Sequence, residues 1–97
     1  MVIISHKPIR EHSQKYPVHA AALEKWYKET IKTDWANYAE VKKSFNSVDA
    51  VGNGLFVFNI KGNDCRLVAR IIFRTRTLFI KFVGTHNEYD NLNISDL

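Results

Sequence analysis

Three runs of β-branched and aromatic residues decide the fold of the second half of the chain: "LFVFNI" at 55–60, "CRLVARIIF" at 65–73 and "TLFIKFV" at 77–83. Runs of this composition are typical of β-strands. The segments "KGND" and "RTR" that separate them are short enough to be hairpin turns. The sequence therefore predicts three strands joined by two hairpins.

The first part of the chain is predicted to be mainly helical. "MVIIS" at 1–5 is typical of a short opening strand, and Pro8 suits the first turn of a helix that extends to about Tyr16. From Val18 to about Thr33 apolar residues recur at three- and four-residue steps, which indicates an amphipathic helix. Two consecutive helices form a hairpin that can cover one face of a sheet.

A short third helix is predicted after Asn37, because Asn37 and Glu40 resemble a capping box. "SVDAVGNG" at 47–54 is predicted to be a loop. This order of elements is that of an α+β fold in which an opening strand and a helical hairpin pack on a small, mostly antiparallel sheet. The length of 97 residues and the apolar content of 45% match one compact domain over residues 1–97.

The composition of the chain argues against several classes of function. No apolar run exceeds four residues, so we expect a cytoplasmic protein with no membrane partner. The net charge of +4 favours a polyanionic partner. A single cysteine, Cys65, forms no internal disulfide, and the four histidines lack the paired spacings of zinc sites. We therefore expect neither a metal nor another cofactor.

Side chains alternate between the two faces of a strand, so the sequence predicts which side faces the helices. In the middle strand the core face takes Cys65, Leu67, Ala69, Ile71 and Phe73, and the opposite, open face takes Arg66, Val68, Arg70, Ile72 and Arg74. In the last strand the core face takes Leu78, Ile80 and Phe82, and the open face takes Phe79, Lys81 and Val83. The open face is predicted to be basic.

Basic residues are concentrated in this part of the chain. Residues 61 to 82 contain Lys61, Arg66, Arg70, Arg74, Arg76 and Lys81 against one acid, Asp64. Arginine binds phosphate with a fork of N–H donors, so this surface could hold RNA, with Phe79 as a stacking residue. The alternative is an ordinary solvated face, above all for Arg74 and Arg76 near the turn. Arg66 begins the middle strand, at the end of the sheet where Lys81 is also expected.

The segment "GTHNEYDN" at 84–91 follows the last strand directly. Thr85 and Glu88 match the capping box of a short helix, on which His86, Tyr89 and Asp90 would share one side. Cleavage of RNA without a metal needs a base, an acid and cations, and this neighbourhood contains all three. Each residue also has a plain structural alternative: Tyr89 could pack on the sheet, Asp90 could cap a helix, and His86 could be a surface residue.

The segments "GNDCRLVARIIF" at 62–73 and "LFIKFVGTHNEYD" at 78–90 together resemble the signature of the HigB toxins, the mRNA-cleaving members of the RelE-like toxin superfamily. The likeness extends almost from end to end. It implies a RelE-like fold and a type II toxin-antitoxin system, in which an endoribonuclease cuts mRNA, in many cases on the ribosome. It further implies neutralisation by a HigA-like antitoxin with a helix-turn-helix domain. The toxin would be linked to operator DNA only through this antitoxin.

The resemblance also implies roles for single residues. Arg66 matches the arginine of "RLVA", Lys81 takes the place of a basic residue in the last strand, and His86, Tyr89 and Asp90 match the "TH-EYD" box. Arg70 matches no fixed basic position. Two functions of another class compete with the nuclease: a non-catalytic RNA-binding module, and a toxin that inhibits a protein such as gyrase.

Overall fold

The helices and strands follow the predicted order, with one strand more than expected. The structure, a computed structural model, describes residues 1–62 and 64–97, so Asn63 of the "GND" motif lies outside the described residues. The strands are β1 (Val2–Ile4), β2 (Asp49–Gly52), β3 (Leu55–Ile60), β4 (Cys65–Ile72) and β5 (Thr77–Thr85). The α-helices are α1 (Lys7–Lys15), α2 (Ala20–Ile31), α3 (Tyr38–Ser44) and α4 (His86–Asp90), and 3-10 turns span Pro17–His19, Phe73–Thr75 and Ile94–Asp96.

The strands form one sheet in the order β1-β5-β4-β3-β2. β1 pairs with β5 in parallel, whereas the other three pairings are antiparallel. The prediction of an α+β fold with a mostly antiparallel sheet is therefore confirmed. β4 lies at the centre of the sheet, which explains why its residues alternate so regularly between the two faces.

The main core fills the space between the helices and the sheet. Its centre is aromatic: the rings of Trp26 and Phe58 meet edge to face at 5.2 Å, and Trp35 stacks on Phe58 at 6.3 Å. Rings of this size bury more apolar area than aliphatic side chains do, so they dominate the stability of a small core. The indole N–H of Trp35 donates to the hydroxyl of Ser44 over 3.0 Å, which ties the chain before α3 to the end of that helix.

The helix boundaries agree with the capping signals in the sequence. Asn37 caps α3, because its side-chain oxygen accepts the backbone N–H of Glu40 over 3.1 Å. Glu40 does not return the bond to Asn37 but accepts the N–H of Ala36 over 2.7 Å, which still satisfies a donor next to the helix start. The predicted short helix is thus present with a modified cap.

The prediction that residues 47–54 form a loop was wrong. Residues 49–52 are strand β2, which pairs with β3 through Asp49–Val57 and Ala50–Phe56. All four residues of β2 are exposed, because an edge strand is held by backbone hydrogen bonds on one side only. The segment therefore lacks the apolar alternation that identifies a buried strand.

The predicted faces of Phe82 and Val83 were also wrong. A β-bulge shifts the register of β5, so that Ala69 faces Ile80 but Val68 faces Phe82. Lys81 is the extra residue, and beyond it the alternation is reversed. Phe82 consequently lies on the open face, whereas Val83 packs against the main core.

The open face carries an apolar patch, which includes Val68 as predicted. Leu55, Val57 and Val68 form a second small core there. The chain that follows β5 covers this patch with partly buried side chains, namely Phe82, Tyr89, Ile94 and Leu97. The basic residues therefore surround an apolar centre on this face. Among the residues that the structure describes, no helix has the length and apolar character needed to cross a bilayer.

Candidate active site

Helix α4 is fixed to the end of β5 by a complete capping box. The hydroxyl of Thr85 accepts the N–H of Glu88 over 3.2 Å, and the Glu88 carboxylate accepts the N–H of Thr85 over 2.8 Å. The bond from the Thr85 backbone lowers the pKa of Glu88 below its usual range. Lys15 of α1 lies 3.7 Å from the other carboxylate oxygen. Two elements thus hold the start of this five-residue helix.

Gly84, near the end of β5, leaves room for the ring of Phe82. It is buried, and a Cβ atom at this position would lie 2.4 Å from the ring of Phe82 and 3.2 Å from the Cβ of Glu88. A side chain there would have to displace the ring that covers the open-face patch. The glycine before "THNEYD" is therefore required by packing.

His86 and Asp90 form an ion pair along α4. Nδ1 of His86 lies 2.9 Å from Oδ2 of Asp90, and the side chains are 48% and 56% exposed. A carboxylate at Nδ1 fixes the orientation of the ring and directs Nε2 away from the pair. In this arrangement Nε2, the second ring nitrogen of His86, can exchange a proton with a substrate.

Arg66 and Tyr89 form a second pair. Arg66 lies opposite Gly84 in the β4–β5 ladder, and its guanidinium carbon is 5.7 Å from the centre of the Tyr89 ring. This distance is within the range of a cation–π interaction. Tyr89 also packs against the open-face patch, so one ring both anchors α4 and contacts the arginine.

Lys81 lies in the bulge of β5, opposite the step between Val68 and Ala69. It is exposed, and its ammonium group is 5.9 Å from the centre of the Phe79 ring. Phe79 lies opposite Arg70, so it belongs to the open face as predicted. The bulge turns this stretch of β5 away from regular pairing, which gives the lysine room to reach a ligand.

A shallow hollow of about 360 Å³ adjoins His86 on the side of the helical hairpin. The backbone N–H of His86 donates to the carbonyl of Asp64 over 3.3 Å, which closes one side of the hollow. No local sequence pattern predicts this neighbourhood, because its members come from distant segments of the chain. The lining residues are Tyr16, His19, Asp64, Thr85, His86 and Asn87.

The other residues predicted to bind RNA lie in different places. Lys61 donates to the carbonyl of Val18 over 3.4 Å, so it lies on the helix side of the sheet. Arg70 lies on the open face, where its guanidinium donates to the carbonyl of Asn53 and, over 3.0 Å, to that of Leu97. Arg70 thus ties the residues after α4 to the β2–β3 turn.

The two arginines of the β4–β5 turn differ from each other. Arg74 is exposed within the 3-10 turn. Arg76 has a left-handed backbone with φ of 54° and pairs with Asp34, whose carboxylate oxygen lies 3.1 Å from its Nε. Its guanidinium also donates to the carbonyl of Phe73. The structure therefore brings together Arg66, Tyr89, His86 and Asp90 around α4, whereas Arg74 and Arg76 lie in the β4–β5 turn.

Comparison with known proteins shows the family to which the chain belongs. The model of the HigB toxin family, described as the RelE-like toxic component of a toxin-antitoxin system, matches residues 19–92. The chain is 35% identical to a protein named mRNA interferase HigB from Escherichia coli O6:H1, over 95% of this chain and 91% of that protein. It is 32% identical to proteins of that type from Escherichia coli K12 and Shigella flexneri, over 93% of this chain and 88% of each relative.

Proposed function

The chain belongs to the HigB family of RelE-like toxins of toxin-antitoxin systems, and we propose that it is an endoribonuclease that cleaves mRNA in the cytoplasm and thereby inhibits translation. Residues 1–97 act as a single toxin domain. The observation that carries the proposal is that α4 presents a His86–Asp90 ion pair within one helical turn of Tyr89, whose ring contacts Arg66.

The proposed reaction is attack of a ribose 2′-hydroxyl on the adjacent phosphorus. A base removes the 2′-proton as the new O–P bond forms, and an acid supplies a proton to the 5′-oxygen as its bond to phosphorus breaks. The products are a 2′,3′-cyclic phosphate and a free 5′-hydroxyl. His86, Tyr89 and Asp90 supply the proton-transfer groups, and no metal takes part in the reaction.

The cations of the site stabilise the transition state in this proposal. Attack on phosphorus concentrates negative charge on the non-bridging oxygens, and pre-positioned donors at that place lower the barrier. Arg66 is held by β4 and by the Tyr89 ring, so its guanidinium is oriented before the substrate arrives. In this proposal Lys81, on the neighbouring strand, adds a second positive charge. Phe79 and the basic residues of the surrounding surface hold the RNA strand.

We base the proposed partners on the family. The activity is neutralised by a HigA-like antitoxin with a helix-turn-helix domain, and only this antitoxin contacts operator DNA. The mRNA is cut while it is bound to the ribosome. A ribosome would supply the contacts that a small, shallow site lacks.

An assay with purified chain tests the cleavage. Messenger RNA is incubated with the protein in the presence of a chelator, with and without ribosomes, and the new ends are mapped. We expect cuts that carry a 2′,3′-cyclic or 3′-phosphate and that appear faster on ribosomes. Binding of RNA without cuts under both conditions would instead favour the RNA-binding module. Intact RNA, together with inhibition of gyrase in a separate DNA supercoiling assay, would favour the gyrase inhibitor.

A growth experiment tests the toxin role. Induced expression of the chain is expected to stop bacterial growth and protein synthesis, and co-expression of the antitoxin is expected to restore both. The Arg66→Ala variant, expressed to the same soluble level, is the control for the burden of expression. Unimpaired growth with the unmodified chain would contradict the proposal.

A further inference from the structure

Two histidines and the single cysteine meet on the helix side of the sheet, and none of the three is used by the proposed cleavage. His12 and His19 are each 6% exposed and Cys65 is 0% exposed. Nε2 of His12 lies 2.9 Å from Nδ1 of His19 and 3.7 Å from Sγ of Cys65, and one ligand atom from each of the three residues lies within 4.8 Å of the others. We propose that this cluster is a binding site for a divalent transition metal ion that prefers nitrogen and sulfur ligands, with Zn²⁺ as its most suitable occupant.

Two of the three separations are close to those that such an ion requires. Tetrahedral zinc binds nitrogen at about 2.0–2.1 Å and sulfur at about 2.3 Å, which sets its ligand atoms about 3.3–3.6 Å apart. The 3.7 Å between His12 and Cys65 already matches this separation. The two imidazoles need to separate by roughly 0.5 Å and to exchange their mutual hydrogen bond for bonds to the metal.

A metal ion binds neutral imidazole and thiolate, so the ion must displace the thiol proton of Cys65. The resulting centre has one net positive charge. His12 and the Glu88 carboxylate line the same hollow, so a negative charge lies near this centre.

The cluster is also accessible to a small ion. His12 borders the hollow that contains Lys15, Lys81 and Glu88, and His19 borders the hollow beside His86. With three protein ligands, a water molecule would complete the tetrahedron. The ion would join α1, the Pro17–His19 turn and β4, and it would therefore fix the helical hairpin to the central strand next to Arg66.

The test uses Co²⁺ as a probe on purified, chelator-treated full chain. We expect one equivalent to bind with the visible bands of tetrahedral cobalt and with a thiolate-to-cobalt charge-transfer band in the near ultraviolet, and we expect Zn²⁺ to remove both. Because the chain has one cysteine, that band reports on Cys65 alone. Zn²⁺ should also raise the unfolding temperature of the chelator-treated protein.

Two variants complete the test. Cys65→Ala is expected to lose the charge-transfer band and the stabilisation by Zn²⁺, whereas His6→Gln, which alters a histidine paired with Glu24 outside the cluster, is expected to keep both. Absence of the charge-transfer band in the unmodified protein would overturn the proposal, and this result does not depend on whether Cys65→Ala folds. A band that survives in Cys65→Ala would overturn it equally.

Discussion

Arg66 is the residue on which the proposed chemistry depends most. It is half-buried between β5 and the Tyr89 ring, whereas Arg74 is exposed in the β4–β5 turn. We expect Arg66→Ala to slow cleavage by roughly 10²- to 10³-fold, as the loss of one transition-state donor does, and Arg74→Ala to change it little. Single-turnover rates measure the effect of each substitution on cleavage, and circular dichroism checks that each variant is folded. Equal losses in both variants would mean that the basic surface acts only as a diffuse binder.

The ion pair of His86 with Asp90 predicts a pH-dependent rate. An imidazole that exchanges a proton during the reaction makes the rate change over roughly pH 5 to 8. His86→Gln is expected to remove that limb of the pH–rate profile together with most of the activity. Tyr89→Phe retains the ring against Arg66 and deletes only the hydroxyl, so it separates packing from proton transfer. Near-native turnover of His86→Gln with an unchanged profile would reassign the proton transfer to Tyr89 or Asp90.

Helix α4 is an element whose position depends on one cap. Thr85→Ala removes the acceptor for the Glu88 N–H and is expected to reduce the free energy of unfolding by about 1 kcal/mol. Asn37→Ala removes the equivalent bond at α3, far along the chain from the site, and serves as the matched control. We expect denaturant titrations to give similar losses, but only Thr85→Ala to slow cleavage. Equal cleavage by both variants would mean that α4 does not position catalytic groups.

The same cap makes part of the stability depend on pH. The folded protein lowers the pKa of Glu88, mainly through the bond from the Thr85 backbone, so the carboxylate stabilises the fold at neutral pH. This contribution is lost as the pH falls through the lowered pKa. The difference in unfolding free energy between the unmodified protein and Glu88→Gln is therefore expected to shrink on acidification. A difference that stays constant from neutral to acidic pH would contradict this role of Glu88.

Elements with a regular apolar pattern were predictable from the sequence, and irregular ones were not. The alternation in β4 correctly placed Cys65, Leu67, Ala69 and Ile71 on the core face. Arg74, which was predicted on the open face of this strand, lies instead in the turn that follows it. β2 has no buried residue, so only its partner strand reveals it. The bulge at Lys81 reversed the faces of Phe82 and Val83, since one extra residue shifts a two-residue period and no composition signal marks it.

For the molecule as a whole, the charge distribution predicts how RNA binding responds to salt. Each phosphate that a basic side chain neutralises releases condensed counterions, with a slope of roughly −0.7 per contact on single strands. Arg70 and Arg76 are engaged within the protein, so fewer contacts are expected than the six basic residues of 61–82 suggest. Filter-binding between low and moderate salt measures the slope. A flat response would indicate a protein partner as the main target.

Only part of the side-chain grouping was predictable, because some of the residues are close together in the sequence and others are far apart. His86, Tyr89 and Asp90 lie within five residues, so helical spacing was enough to group them. The cluster of His12, His19 and Cys65 spans more than fifty positions of the sequence. Its most distant contacting pair, His12 and Cys65, is 53 residues apart. Only the packing of α1 against the sheet brings these residues together, and no spacing rule expresses that contact.

The position of β5 between β1 and β4 has a consequence for synthesis. β5 is the last strand to be made, yet β1, the first, pairs only with it, and α4 follows β5 directly. Until β5 and α4 have been synthesised, the growing chain therefore lacks both the partner of its first strand and the helix that carries His86. The sheet and the candidate site are therefore completed at the same stage of synthesis, when β5 and α4 have both been made.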